Sequence, residues 1–100
     1  FSVTSFSFPI FRSLRIKNDR LEMFWPEYMD IRSNDLEDAY HDAGQFYWLK
    51  ANTFIKKPMI YTDNAMPVVL PRNLTQDIDT EEDWINAEYM YKAMKLKTEL

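Results

Sequence analysis

The chain has 100 residues, a mass of 12.1 kDa, 46% hydrophobic and 16% aromatic content, and a net charge of −4 with an isoelectric point near 4.9. This is apolar material for one core; it argues against disorder, and the acidity argues against a sequence-independent grip on nucleic acid phosphates. A mean hydropathy of −0.48 without an apolar run of membrane length argues against a spanning helix, and the absence of cysteine excludes disulfides, thiolate metal sites and cysteine nucleophiles.

From the N-terminal side, Phe1 to Phe8 is serine- and aromatic-rich and β-favouring, and Pro9 interrupts it. From Ile10 to Lys17 the pattern alternates, with Ile10, Arg12, Leu14 and Ile16 on one side and Phe11, Ser13, Arg15 and Lys17 on the other. After Asn18-Asp19, two residues that tolerate the left-handed region, Arg20 to Trp25 alternates again, with Leu21, Met23 and Trp25 sharing a side. The expectation is a β-hairpin over residues 10–25, ended by Pro26. Its large apolar groups, on both faces, suit either packing within its own domain or docking on a second subunit.

Arg32-Ser-Asn-Asp-Leu-Glu opens a short helix in this reading, with Asn34 as cap, Glu37 three residues on, and an end near Tyr40. Gln45 to Leu49 is a bulky, nearly continuous apolar run, the pattern of a strand covered on both faces. Ala51 to Lys57, closed by Pro58, is ambiguous and compatible with one helical turn; Met59–Thr62 and Pro67–Leu70 are short β-like runs. The last element is the clearest. Thr80-Glu-Glu-Asp83 has a capping spacing, Trp84, Ala87, Tyr91 and Met94 recur at helical intervals, and acids precede lysines as the helix dipole favours. A helix is predicted over residues 81–96.

Three places carry residues suited to chemistry. In Gln76-Asp77-Ile78-Asp79-Thr80, an extended backbone would point Asp77 and Asp79 the same way, with Ile78 turned into the core between them. Two carboxylates at such a junction suit Mg²⁺, which takes one or two acids and leaves its other positions to water and phosphate oxygens. The structural alternative is that Asp79 complements the helix N-terminus and Asp77 is a solvated loop acid. In Tyr40 to Tyr47, His41 and Asp42 are neighbours whose side chains diverge on a strand, so a direct acid/base dyad is not expected. Gly44, the chain's one glycine, lets a ligand or another backbone come close. Arg12 shares its side with apolar residues and needs a partner, and Arg32 precedes a helix start; for both, exposed salt bridges are the alternative to binding a carboxylate ligand. A single glycine leaves no phosphate cradle, and there is neither a Gly-x-Ser-x-Gly elbow nor a glycine-rich Lys-Ser/Thr loop.

Taken together, Ser5-Phe-Ser-Phe-Pro-Ile10, Arg32-Ser-Asn-Asp-Leu36, Tyr40-His-Asp-Ala-Gly-Gln-Phe-Tyr-Trp48 and Gln76-Asp-Ile-Asp-Thr-Glu-Glu-Asp-Trp84 resemble the acylneuraminate cytidylyltransferase family, and within it the branch that activates pseudaminic acid. Asp-Ile-Asp-Thr-x-x-Asp recurs across the family, whereas the Tyr40–Trp48 run is the more discriminating. The resemblance implies an α/β nucleotide-diphosphosugar-transferase fold, Rossmann-like and three-layered, with a protruding hairpin and a long final helix. It implies transfer of CMP from CTP to a nine-carbon 2-keto acid sugar with release of pyrophosphate, for surface glycan or flagellin glycosylation, by a cytoplasmic, Mg²⁺-using homodimer. The family's metal-binding, catalytic aspartates fall on Asp77 and Asp79; Arg12, Arg32, Asp42, Gly44, Gln45 and Tyr47 fall on the sugar side. Residues 10–25 correspond to the dimerisation hairpin. Family members are longer, and their CTP-binding loop has no match here, so the chain resembles the C-terminal portion of the single catalytic domain and is expected to be inactive alone. There are departures: Asn34 stands where this branch is expected to carry Gln, and Ala43 precedes Gly44 where sialate-activating relatives carry Asn. The second departure favours pseudaminic over sialic or legionaminic acid. A reading of another class, a non-catalytic self-association module, makes the acids structural and the apolar hairpin the working surface.

Overall fold

A computed structural model describes residues 1–99, in two units: Phe1–Thr4 with the chain from His41 onward, and Ser5–Tyr40. The elements are mixed α/β: a small three-stranded sheet, a two-stranded hairpin, a short helix and a long helix at the end of the chain.

In the first unit, β1 (Ser2–Ser5) is the middle strand of the sheet. The hairpin strands are β2 (Leu14–Lys17) and β3 (Arg20–Met23), and β1 is flanked by β4 (Tyr40–Asp42) and β5 (Val68–Val69). β1 and β5 run parallel, Ser2 opposite Val68 and Val3 opposite Val69. The middle strand is polar yet buried, with Ser2 at 0% and Thr4 at 3% exposure. Both hydroxyls are satisfied by backbone: Thr4 Oγ1 donates to the Leu70 carbonyl at 2.8 Å, and Ser2 Oγ accepts the Gln45 and Phe46 amides at 3.3 and 3.2 Å. Burial costs little when every polar atom is paired.

The helix α1 (Ala51–Lys56) follows, ending before Pro58 as expected. The last element, α2 (Glu81–Glu99), starts where the capping spacing placed it and runs past residue 96. Thr80 Oγ1 accepts the Asp83 amide at 3.1 Å and Asp83 Oδ2 accepts the Thr80 amide at 3.1 Å, a reciprocal capping box. The same Oδ2 accepts the Asp79 amide at 3.0 Å; chiefly for that reason the Asp83 carboxyl is held below its usual range. One side of α2, at Ala87 and Met90, is half-buried, and the helix packs on the 3₁₀ turn Arg72–Leu74. The rest of its expected apolar face, Trp84, Tyr91 and Met94, is exposed.

The second unit holds the hairpin. Its register sets Leu14 against Met23, Ile16 against Leu21 and Arg15 against Glu22. Asn18 and Asp19 both have positive φ, 52° and 60°, the conformation that matches a two-residue turn to the twist of its strands. One face carries Leu14, Ile16 and Leu21, all exposed, with Ile16 at 77% and Leu21 at 70%. On the other, Arg15 pairs with Glu22 at 3.6 Å and its guanidinium lies 4.8 Å from the centre of the Phe24 ring. Phe11 packs against Trp25 and Tyr28, with ring centres 5.3 and 5.1 Å apart.

Several expectations fail locally. Ile10–Arg12 is a 3₁₀ turn after Pro9, so Arg12 is not on the hairpin's apolar side; its guanidinium donates to the Ile31 carbonyl instead of meeting a carboxylate. The short helix expected to open at Arg32–Glu37 with Asn34 as cap and to end near Tyr40 is a single 3₁₀ turn, Ser33–Asp35, with no side-chain cap. It stops because Leu36 is extended and buried. Gln45 to Leu49 forms no strand: its ties to β1 are the Gln45 and Phe46 amides on Ser2 Oγ and the Ser2 amide on the Phe46 carbonyl, and Trp48 is 85% exposed. Nor is there a strand at Met59–Thr62. Ile78 is exposed rather than turned into a core. The single core expected from composition is correspondingly small: the buried hydrophobic residues among those described are Val3, Leu36 and Ala43. No described helix is long and apolar enough to cross a membrane.

Candidate functional site

The first unit brings four of the predicted site residues together around the turn after β4. Asp42 is half-buried, and its Oδ1 accepts the Gly44 amide at 2.8 Å. Its Oδ2 accepts the hydroxyls of Tyr47 and, at 3.4 Å, Tyr61. These donors, Tyr47 foremost, hold the Asp42 carboxyl below its usual value, and the same bond pushes the Tyr47 phenol up to about 12. The rings are propped by Phe1, whose centre lies 5.4 Å from that of Tyr47 and 5.7 Å from that of Tyr61.

Gly44 adopts φ +69°, and a methyl on its Cα would lie 3.3 Å from both Cγ and Oδ1 of Asp77. The carboxylate of Asp77 therefore rests on the glycine backbone. Its negative charge also reaches Tyr47, where it adds to the upward push on the phenol. Asp42, Gly44, Tyr47 and Asp77 thus form one cluster, although 30 or more residues separate the first three from the last.

Gln45 lies beside this cluster, its Nε2 donating to the Leu74 carbonyl at 3.3 Å. It borders a cleft of about 240 Å³ lined by Gln45, Leu74, Gln76, Met90, Tyr91 and Met94. Asp79 is exposed at the bend before α2, with its amide engaged by Asp83. Because residues 75–78 are irregular and 79–80 form a bend, the period-two alternation assumed for Asp77 and Asp79 is not a property of a strand here. Arg12 and Arg32 belong to the other unit, Arg32 exposed at the start of the 3₁₀ turn Ser33–Asp35. His41 Nδ1 lies 3.0 Å from the Asp42 carbonyl oxygen.

Tyr61 was missed by sequence reasoning. Lying 19 residues from Asp42 in a segment read as a β-like run, it gave no signal beyond being a tyrosine near a turn.

Oxygen donors of the kind a hard cation prefers are present at Asp77 and Asp79, and the open glycine backbone supplies a cradle for one of them. Among the described residues no three His, Asp or Glu side chains gather into a cage. That donor set does not suit a cation enclosed by protein, but it fits Mg²⁺, which binds through one or two carboxylates with water and phosphate completing the shell.

No family model matches the chain. It is 39% identical over 94 residues to the pseudaminic acid cytidylyltransferases of two strains of Campylobacter jejuni subsp. jejuni, a match covering 93% of this chain and 40% of each relative. It is 33% identical over 78 residues to a Helicobacter pylori protein named pseudaminic acid cytidylyltransferase and UDP-2,4-diacetamido-2,4,6-trideoxy-beta-L-altropyranose hydrolase, covering 78% of this chain and 15% of that relative. The chain thus spans about 40% of the length of the Campylobacter relatives it matches. Likeness to part of the pseudaminic acid cytidylyltransferases thus runs through nearly all of the residues of this chain.

Proposed function

We propose that the protein to which this chain belongs transfers CMP from CTP to pseudaminic acid and releases pyrophosphate. The observation that carries the proposal is the 39% identity over 93% of the chain to enzymes of that name. The cluster of Asp42, Gly44, Tyr47 and Asp77 supports it by placing an acid of the Asp-x-Asp pair against the turn that carries the sugar-side residues.

In this reading Asp77 and Asp79 hold Mg²⁺, which would neutralise phosphate charge as the sugar hydroxyl displaces pyrophosphate in line. Asp42, Gly44, Gln45 and Tyr47 form the sugar side of the site. The resemblance gives Arg32 to the sugar pocket and Arg12 to the sugar carboxylate of the neighbouring subunit. The exposed Leu14, Ile16 and Leu21 face of the hairpin is the homodimer contact. The small sheet and α2 are part of a three-layer nucleotide-diphosphosugar-transferase fold, working in the cytoplasm, and Ala43 ahead of Gly44 favours pseudaminic acid over sialic or legionaminic acid.

The test is a pyrophosphate-release assay on the full-length protein with CTP and a panel of nine-carbon keto acids. Turnover is expected with pseudaminic acid foremost; no turnover with any of them overturns the proposal. The 100-residue chain alone, with one glycine and no phosphate cradle, is expected to release none.

A second reading rests on the hairpin's exposed apolar face: a self-association module whose acids are structural. Asp79→Asn separates the two. Loss of CMP transfer with folding and assembly intact excludes the module reading, and turnover near the wild-type rate excludes the metal assignment.

A further inference from the structure

A glycine in a binding turn is ordinarily taken to make room for the ligand. In this chain the room at Gly44 is taken by a side chain: a Cβ there would stand 3.3 Å from Asp77 Cγ and Oδ1, and 3.5 Å from Oδ2, so all three atoms of the carboxylate group face the bare Cα. Distances of 3.3 Å to Cγ and Oδ1 are tighter than ordinary van der Waals contact, and a methyl would force the carboxylate to move. The turn that presents this bare position is itself fixed. Asp42 Oδ1 accepts the Gly44 amide at 2.8 Å, and its other oxygen is shared by the Tyr47 and Tyr61 hydroxyls. The phenols come from different parts of the chain and meet on the same oxygen, while the other oxygen takes the Gly44 amide.

We infer that Gly44 is a positioning residue for Asp77, and that Asp42, clamped by Tyr47 and Tyr61, holds Gly44 in the conformation that does this. The inference rests on the proposal that Asp77 is a metal-holding acid. It gives Gly44 a role toward the acid rather than toward the sugar, and it brings Tyr61 into the site. Groups that orient a metal ligand act on affinity through its direction, and their loss weakens binding while the ligand itself is unchanged.

The test is Mn²⁺ binding to the full-length protein, followed by the paramagnetic resonance signal of the free ion, so that no turnover is needed. Two substitutions separate backbone conformation from space. Gly44→Ala brings both a Cβ and strain at φ +69°, whereas Gly44→Asn brings the Cβ with a residue that tolerates the left-handed region. Both are expected to weaken Mn²⁺ binding by about 10-fold, the lower end of what loss of an orienting group costs. Wild-type affinity in Gly44→Asn overturns the inference, because the glycine would then serve only the turn. Should either variant fail to fold, Tyr47→Phe with Tyr61→Phe keeps both rings and removes both hydroxyls; a several-fold weaker affinity is expected, and an unchanged one overturns the role given to Asp42. Asp77→Asn is the reference. If it leaves Mn²⁺ binding untouched, the metal reading itself falls and this inference with it; if it weakens binding and Gly44→Asn does not, the positioning role alone falls.

Discussion

Asp42 accepts one backbone amide and two phenols, and the hydrogen bond to its carboxylate is the chief reason Tyr47 holds its proton so firmly. The Tyr47 phenol is raised from 10.0 to about 12, so the neutral hydroxyl is favoured in the folded protein. Its contribution to stability is complete below pH 10 and is lost as the pH rises through about 12. The Asp42 carboxyl is lowered from 3.8, so its contribution is present above that value and disappears as the pH falls through the lowered one. Alkaline titration followed at the phenolate absorbance is expected to show one tyrosine ionising near 12, and Asp42→Asn to return it toward 10. A wild-type protein in which every tyrosine ionises near 10 would remove this hydrogen bond from the site. At this scale the sequence was informative where chemistry is local. Asn18-Asp19 announced its left-handed turn, because that follows from the residue's own steric map, whereas at Gly44 the close approach expected of a ligand or another backbone is made by the Asp77 side chain. Arg12 was misjudged because the preceding proline turned the backbone and altered which side it faces, and Tyr61 was invisible because its partner is remote in the chain.

Among the elements, α2 and the hairpin were legible in outline, and both carry their instructions within a few residues. For α2 these are the reciprocal bonds of Thr80 and Asp83. Thr80→Ala removes one of them and is expected to cost about 1 kcal/mol, measured as a lowered midpoint in denaturant unfolding of the full-length protein. For the hairpin the register follows from the alternation on either side of the turn. If its bare face joins two subunits, Leu21→Arg places a charge at the centre of the contact, and sedimentation of the full-length protein is expected to shift from dimer toward monomer. An unchanged dimer would move the contact elsewhere. Gln45 to Leu49 shows where local reading stops. Its composition is that of a covered strand, but whether such a run pairs depends on neighbours that no window of five residues contains. The same holds for the helix expected after Ser33, where burial of Leu36 overrode a plausible capping pattern.

At the scale of the whole molecule, the composition of 46% hydrophobic residues and the short roll of buried ones stand in contrast. Phe8, Trp48, Met66 and Ile55 all lie open to solvent. A chain that spans about 40% of its Campylobacter relatives and leaves this much apolar surface uncovered is expected to bind a hydrophobic dye strongly when isolated, and the full-length protein to bind it weakly. Equal dye binding by the two would mean that the rest of the protein leaves these surfaces bare. The mixed α/β class is what the elements show; a three-layer fold is implied only by likeness to a family, because the described strands are too few and too short to specify it by pattern.

The strand at the middle of the sheet has a further consequence, one of timing. β1 is finished within the first five residues of this sequence, but Ser2 meets Val68 only after 66 more have been made. At roughly 5–20 residues per second a ribosome needs several seconds to cover that interval. Throughout it, the edge of β1 on the β5 side is unpaired while the hairpin, whose strands are two residues apart, is free to close at once. Completion of the sheet therefore waits on Val68–Val69, and a nascent chain halted before them would display an uncovered strand edge to whatever chaperone or neighbour reached it first.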